Sequence, residues 1–240
     1  MNAGRTARER ARAELTEEIK STAREQLATV GAEALSLRAI SRELGMVSSA
    51  LYRYFASRDE LLTALIIDAY NALGSAAEAA SGSAAEAASG SASADGDPLD
   101  EWLAVYTAVR GWARTYPQEY ALIYGSPISG YEAPQTTVEP AARVPLVLLG
   151  LLQRAQTAGR LETPVDAPEP TGALAKQTDV LVALAPDVPP AVLVRTVIVW
   201  TQLFGMISFE LFGQLVGSMD PADEFFESAA RQMAAFVGLR

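Results

Sequence analysis

The stretch GMVSSALYRYFASRDEL, residues 45 to 61, sets small and hydroxyl-bearing side chains beside two tyrosines, a phenylalanine and two arginines. Ser48, Ser49 and Ala50 are short enough at a helix start for a base edge to come close, where a hydroxyl or methyl can meet it. Tyr52, Arg53 and Tyr54 can donate to phosphate oxygens, and Arg58 lies at the start of a further helix, itself attractive to phosphate. Other chemistries are poorly supplied. The 240 residues hold no histidine and no cysteine, which removes the commonest general base, the usual nitrogen ligand and every thiolate. There is no Glu-x-x-His pair, no Ser-His arrangement and no Gly-rich phosphate loop. Neither a metal nor a cofactor is expected, and an enzyme is disfavoured.

The elements that must position these residues follow from periodicity and punctuation. No stretch alternates with period two for long enough to argue a strand, so the expected class is all-α. Leu15, Ile19, Ala23, Leu27 and Val30 define a first helix, basic at its start, with Gly31 after it. Ser36 is the expected N-cap of a short second helix to Leu44, ended by Gly45. A third reaches Tyr54, with Ser48 as its expected cap because position 47 is valine. Ser57-Arg58-Asp59-Glu60 has the form of a capping box opening a fourth. Two short helices around a glycine, each apolar toward the other, make the pattern of a helix-turn-helix, whose second helix enters the DNA major groove.

Charge and proline divide the chain. The formal net charge is −10, yet residues 1 to 60 balance to +1 and the remainder to −11. The first 97 residues contain no proline and the rest contain all thirteen. Arg5, Arg8, Arg10 and Arg12 form a basic arm that either reaches the minor groove or is simply solvated. SAAEAASG at 75 to 82 repeats unchanged at 83 to 90; with no large apolar residue it reads as a duplicated, partly disordered linker interrupted at Gly82 and Gly90. The expected division is a helix-turn-helix domain at 1–60, a connecting helix and Ala/Ser/Gly-rich linker at 61–97, and a second domain at 98–240. That second domain should open on Asp97-Pro98 as N-cap and N1, continue with helices at about 138–158, 171–184 and 189–217, and end on a helix capped by Asp220-Pro221. Arg195, Gln202 and Glu210 interrupt the most apolar of these, so a buried helix rather than a membrane span is expected, and a chain without an apolar leader should stay in the cytoplasm.

The run LSLRAISRELGMVSSALYRYFASRDELL, residues 35 to 62, closely resembles the DNA-binding signature of TetR-family (tetracycline-repressor-like) transcriptional regulators. Gly45, Leu51, Tyr52, Phe55, a basic residue at 58 and Leu61 carry the likeness. The resemblance implies that Ser36 and Arg38 touch phosphate, that Ser48, Ser49, Ala50 and Arg53 face the bases or their rim, and that Tyr52, Tyr54 and Arg58 clamp phosphates. Tyr54 stands where many relatives have histidine.

The same resemblance makes residues 98–240 a helical-bundle domain for ligand binding and dimerisation. It implies a double-stranded DNA operator, a homodimer and a small-molecule effector as partners, and a repressor released by a largely apolar ligand. The helix at 189 to 217 is apolar nearly all round, which a symmetry mate would explain, with Gly205, Ser208 and Gly213 allowing close approach to this helix and the last one. Tyr106, Tyr120, Tyr124, Tyr131, Trp200 and Phe204 are the expected pocket residues, Trp200 and Phe204 falling in a stretch similar to a C-terminal motif of one subgroup. The competing reading is a small-molecule-binding or interaction module with a degenerate helix-turn-helix.

Overall fold

The computed structural model describes residues 3–89 and 97–240, without the side chains of residues 3–6 and 83–89. Ten α-helices are described: α1 Ala3–Val30, α2 Leu37–Glu43, α3 Ser48–Leu51, α4 Arg58–Ser89, α5 Pro98–Thr115, α6 Pro117–Tyr124, α7 Val138–Thr157, α8 Gly172–Leu184, α9 Pro190–Leu211 and α10 Asp223–Val237. Among the described residues there is no strand, only an isolated bridge between Leu161 and Leu239. The chain divides into two compact units, one running to Tyr70 and including Tyr116–Val138, the other formed by Asn71–Thr115 and Glu139–Arg240.

The first unit, called the head below, is built on the apolar stripe of α1. Ile19, Ala23 and Leu27, four residues apart, are buried against Leu37, Ile40, Leu51, Phe55, Leu61 and Leu65. Each fully buried leucine or isoleucine here contributes about 1.5 to 3 kcal/mol relative to exposure. Leu122, Ile128 and Tyr131 pack on the same core, and α6 and the loop after it are part of this compact unit. Polar contacts fasten that segment: the Tyr131 and Thr63 hydroxyls lie 2.9 Å apart, and Ser129 N–H donates to the Glu33 carboxylate at 2.8 Å. Asp68 accepts from Arg24 at 2.7 Å and pairs with Lys20 at 2.8 Å, tying α4 to α1. Burial pushes the Glu119 carboxyl above its ordinary range, with Arg24 opposing.

In the second unit α5, α9 and α10 pack around Trp102 and Tyr106, which stack at 4.8 Å. Trp102 Nε1 donates to Ala230 O at 3.0 Å and the Tyr106 hydroxyl to Val199 O at 3.3 Å, so both buried polar tips are satisfied. Asp97 caps α5 as expected, its Oδ1 accepting from Leu99 N–H at 3.1 Å. Arg195, buried on α9, donates to Phe236 O at 2.7 Å, pairs with Asp166 at 2.8 Å and lies over the Phe236 ring.

Three local expectations change. Gly82 does not interrupt α4, which continues through the first octapeptide to Ser89. Alanine and glutamate favour helix, Ala77 is buried, Arg143 holds Glu78, and Ser81 donates to Glu101. Gly90 and the remaining linker residues to 96 lie outside the described residues. The last helix has Ala222 rather than Asp220 at its N-cap, with Asp223 and Glu224 complementing the first turn. The long apolar helix ends at Leu211; Gly213, at φ 80°, follows it.

Candidate nucleic-acid interface

The backbone between Ser36 and Phe55 sets the site. Ser36 Oγ accepts from Ala39 N–H at 3.4 Å and starts α2. Gly45 stops it: at φ 64° its N–H reaches Arg42 O, while Met46 N–H reaches Ser41 O at 2.7 Å. That pair of bonds is the Schellman arrangement, and its left-handed residue is why glycine is needed there. The chain then turns directly into α3, whose Leu51 is fully buried and holds the helix down on the core.

Val47, not Ser48, is the N-cap of α3, extended at φ −68° and ψ 135° with no side-chain cap. Ser48 is the first helical residue, and its hydroxyl lies 3.1 Å from that of Ser41. The regular helix is only Ser48–Leu51; turns continue through Tyr54, with Tyr54 N–H donating to Leu51 O at 2.8 Å. Ser48, Ser49, Tyr52 and Arg53 are exposed, while Ala50 and Tyr54 are half-buried. The capping box of α4 forms: Glu60 N–H donates to Ser57 Oγ at 3.1 Å and Ala56 N–H to Glu60 Oε2 at 2.6 Å.

The arginines sort into two groups. Arg38 and Arg53 are exposed and make no ion pair among the described residues, and the same holds for Arg42. Arg42 was missed by the residue-by-residue resemblance, yet it lies four positions after Arg38 and shares its helix face. Arg58 and Arg12 are engaged by the protein itself. Arg58 Nη2 donates to Ala32 O at 2.8 Å and Glu33 O at 3.3 Å, clamping the turn after α1, and its Nη1 lies 3.6 Å from Asp59. Arg12 sits in α1, which extends back through the basic arm; it donates to Arg53 O at 3.3 Å and lies 5.1 Å over the Tyr54 ring. A tyrosine at 54 supplies the aromatic face for that contact.

The six aromatic residues expected at a pocket fall in both units. Tyr120, Tyr124 and Tyr131 belong to the head, where Tyr120 is fully buried and Tyr124 packs edge-on to Tyr70 at 6.0 Å. Burial pushes the Tyr124 hydroxyl above its ordinary range, and Tyr106 likewise. Tyr106, Trp200 and Phe204 belong to the second unit, with Trp200 edge-on to Phe204 at 6.3 Å. The Trp200 indole nitrogen is buried without a hydrogen-bond partner among the described residues. The cavities described are lined by other residues; the larger, about 670 Å³, lies between α5 and α10 beside Arg110 and Phe226.

A head that presents a helix-turn-helix with unpaired arginines defines a sequence-reading DNA-binding protein, and comparison with known chains gives the family. Residues 19–65 match the domain described as bacterial regulatory proteins, tetR family, and residues 102–233 match the tetracyclin repressor-like C-terminal domain. The HTH-type transcriptional regulators Rv1816 of Mycobacterium tuberculosis and Mb1846 of Mycobacterium bovis are each 38% identical over 235 residues, covering 95% of this chain and 94% of theirs. The crystal structure of the protein SCO4313 is 35% identical, with TM-score 0.70 over 95% of this chain and 98% of its own. The TetR-family regulator PfmR of Thermus thermophilus shares the fold at TM-score 0.55 and 21% identity, over 92% and 98% of the two chains. The chain therefore belongs to the TetR family of transcriptional regulators, which are not enzymes.

Proposed function

We propose that this regulator is a homodimeric repressor acting in the cytoplasm on a palindromic operator, and that a small, largely apolar effector releases it. The observation that carries the DNA contact is the exposed, unpaired set Arg38, Arg42 and Arg53, on and beside the two helices of the helix-turn-helix. Arg38 and Arg42 meet phosphates from α2, Arg53 and Tyr52 reach the rim of the groove, and Ser48, Ser49 and Ala50 face base edges, with Ser36 and Tyr54 supporting the backbone contact. Arg58 stiffens the start of α4, so its phosphate role is secondary to its grip on the Ala32 and Glu33 carbonyls.

Dimerisation is supported by an apolar stripe on α9. Val197, Ile198, Phe209 and Phe212 are exposed along one side of a helix whose other side is core, and Gly205 and Ser208 lie between them. The helix is long and apolar enough to cross a membrane, but half of its most apolar window is buried within the protein. A second copy covers the stripe more economically than lipid does, since α8, packed on α9, adds exposed Val180 and Leu184. For the effector, the partnerless Trp200 N–H beside Phe204 suits a ligand with one acceptor oxygen and apolar bulk. Tyr106, whose hydroxyl is already given to Val199 O, serves as a support in the same unit rather than as a donor.

The test is selection from a randomised duplex library by the purified protein, then titration of the recovered site against salt. A palindrome with half-sites about one helical turn apart is expected. Arg42→Ala and Arg38→Ala should each reduce the slope of log affinity against log salt by about 0.9. Unchanged slopes in both variants would sink the phosphate assignment.

A further inference from the structure

Ser41 and Ser48 together restrict what α3 can read. Ser41 is fully buried, with its Oγ 3.0 Å from Arg38 O and 3.1 Å from Ser48 Oγ. A hydroxyl has one proton and two lone pairs, and a carbonyl can only accept. Ser41 must therefore give its proton to Arg38 O and accept from Ser48. The opposite arrangement would leave two oxygens 3.0 Å apart with no proton between them, inside the core.

Resting on the proposal that α3 faces base edges, we infer that Ser48 is a specificity-determining residue of fixed polarity: its hydroxyl offers only lone pairs outward and reads a base amino group. In the major groove the amino groups are N6 of adenine and N4 of cytosine, whereas guanine and thymine show acceptors to the same edge. An acceptor-only Ser48 thus selects adenine or cytosine on the strand it touches and meets guanine O6 and N7, or thymine O4, with oxygen facing acceptor. Ser49 differs. Its exposed hydroxyl has no hydrogen-bond partner among the described residues, so it can turn to donate or accept and imposes no such choice.

Position in the sequence gives the device its direction. Ser48 is the first residue of α3, held at its base by a buried serine from α2, seven residues earlier. The hydroxyl that contacts DNA is the outer end of a short chain, Ser48 to Ser41 to Arg38 O, anchored in the helix that carries Arg38 and Arg42. Removing Ser41 frees the Ser48 proton without touching any exposed atom.

The experiment compares wild type, Ser48→Ala and Ser41→Ala by sequencing the duplexes each retains from a randomised library. The base pair read by Ser48 is the one whose preference disappears in Ser48→Ala. At that pair wild type should favour adenine or cytosine on one strand by about threefold to tenfold, the worth of a single hydrogen bond. Ser41→Ala should admit guanine or thymine there and leave the other positions as they were, with unchanged helix content by circular dichroism. Because every pair carries one amino-bearing base, the contact itself is tested by deleting that amino group in the recovered site, with purine for adenine or 2-pyrimidinone for cytosine, which should abolish the affinity difference between wild type and Ser48→Ala. Three results would overturn the inference: a difference that survives loss of the amino group, no position altered by Ser48→Ala, or a folded Ser41→Ala with the wild-type preference. The wild-type and Ser48→Ala comparison stands by itself if Ser41→Ala does not fold. Absence of any enriched sequence from folded wild type would instead remove the DNA reading beneath it, and the inference with it.

Discussion

In the second unit all eight arginines, from Arg110 to Arg240, have a carboxylate within ion-pair reach; in the head, Arg38, Arg42 and Arg53 have none among the described residues. The two regions use one residue type for opposite ends. Arg110 is nearly buried, forked onto Glu210 with both contacts at 2.7 Å, bonded to Asp223 at 2.9 Å and laid over the Phe226 ring. Its charge is cancelled where it stands. Arg53 has its guanidinium in solvent. A formal charge of −10 therefore says little about the surface that meets a polyanion, because the excess of acid lies beyond residue 60 and residues 1 to 60 balance to +1.

The contrast breaks most visibly at Arg110. Arg110→Ala leaves Glu210 half-buried with only Arg114, 3.7 Å away, to face it, and should cost about 3 kcal/mol in denaturant unfolding. The salt slope of operator binding should not change; a changed slope would mean that Arg110 is not confined to holding the second unit together. Arg58 tests the comparison from the other side, because it is a head arginine engaged like those of the second unit. Arg58→Ala should lose about 1.5 kcal/mol of stability, the worth of charge-assisted bonds to carbonyls, and leave the salt slope nearly intact. A drop in slope near 0.9 with normal stability would return Arg58 to the phosphate-contacting set.

The smallest effect belongs to Glu78, whose carboxyl is held below 4.5 by its hydrogen bonds from Arg143. A depressed carboxyl stabilises the fold above its unfolded value and loses that contribution as pH falls through its folded value. Glu78→Gln should therefore destabilise by about 0.5 kcal/mol at neutral pH, discounted for the half-exposed pair, and by nothing measurable in acid, once the wild-type carboxyl is protonated in both the folded and the unfolded chain. Thermal melts at pH 7 and pH 3 read this directly, and a gap that persists in acid would assign the effect to packing.

Local chemistry was legible in the sequence where the partners are close along it. Ser57 and Glu60, Asp97 and Pro98, Ser36, and Gly45 all do what their types and spacing announce. What failed were choices between near-equivalent neighbours and contacts made across long separations. Valine at 47 takes the cap position because backbone geometry, not side-chain oxygen, sets it, and Ser48 turns inward to Ser41. Arg58 looks like a phosphate ligand by position, and only the fold brings Ala32 O within its reach. The aromatic residues gave bulk without location: three of the six lie in the head, a result that hydrophobic periodicity cannot announce. Arg42 was legible as the i+4 neighbour of Arg38 and went unread.

Thr63 and Tyr131 touch across 68 residues, and Leu122 and Ile128 close the same core from a segment that follows α5. The DNA-reading part of this chain is consequently not a cassette. A recombination or fusion that cuts after Tyr70 would carry away the reader while leaving behind part of its floor. Exchange of operator specificity between relatives must either move two separated stretches at once or be confined to the few outward positions on α2 and α3. In this lineage, drift in DNA preference is therefore expected to come by substitution at the surface rather than by swapping of whole N-terminal segments.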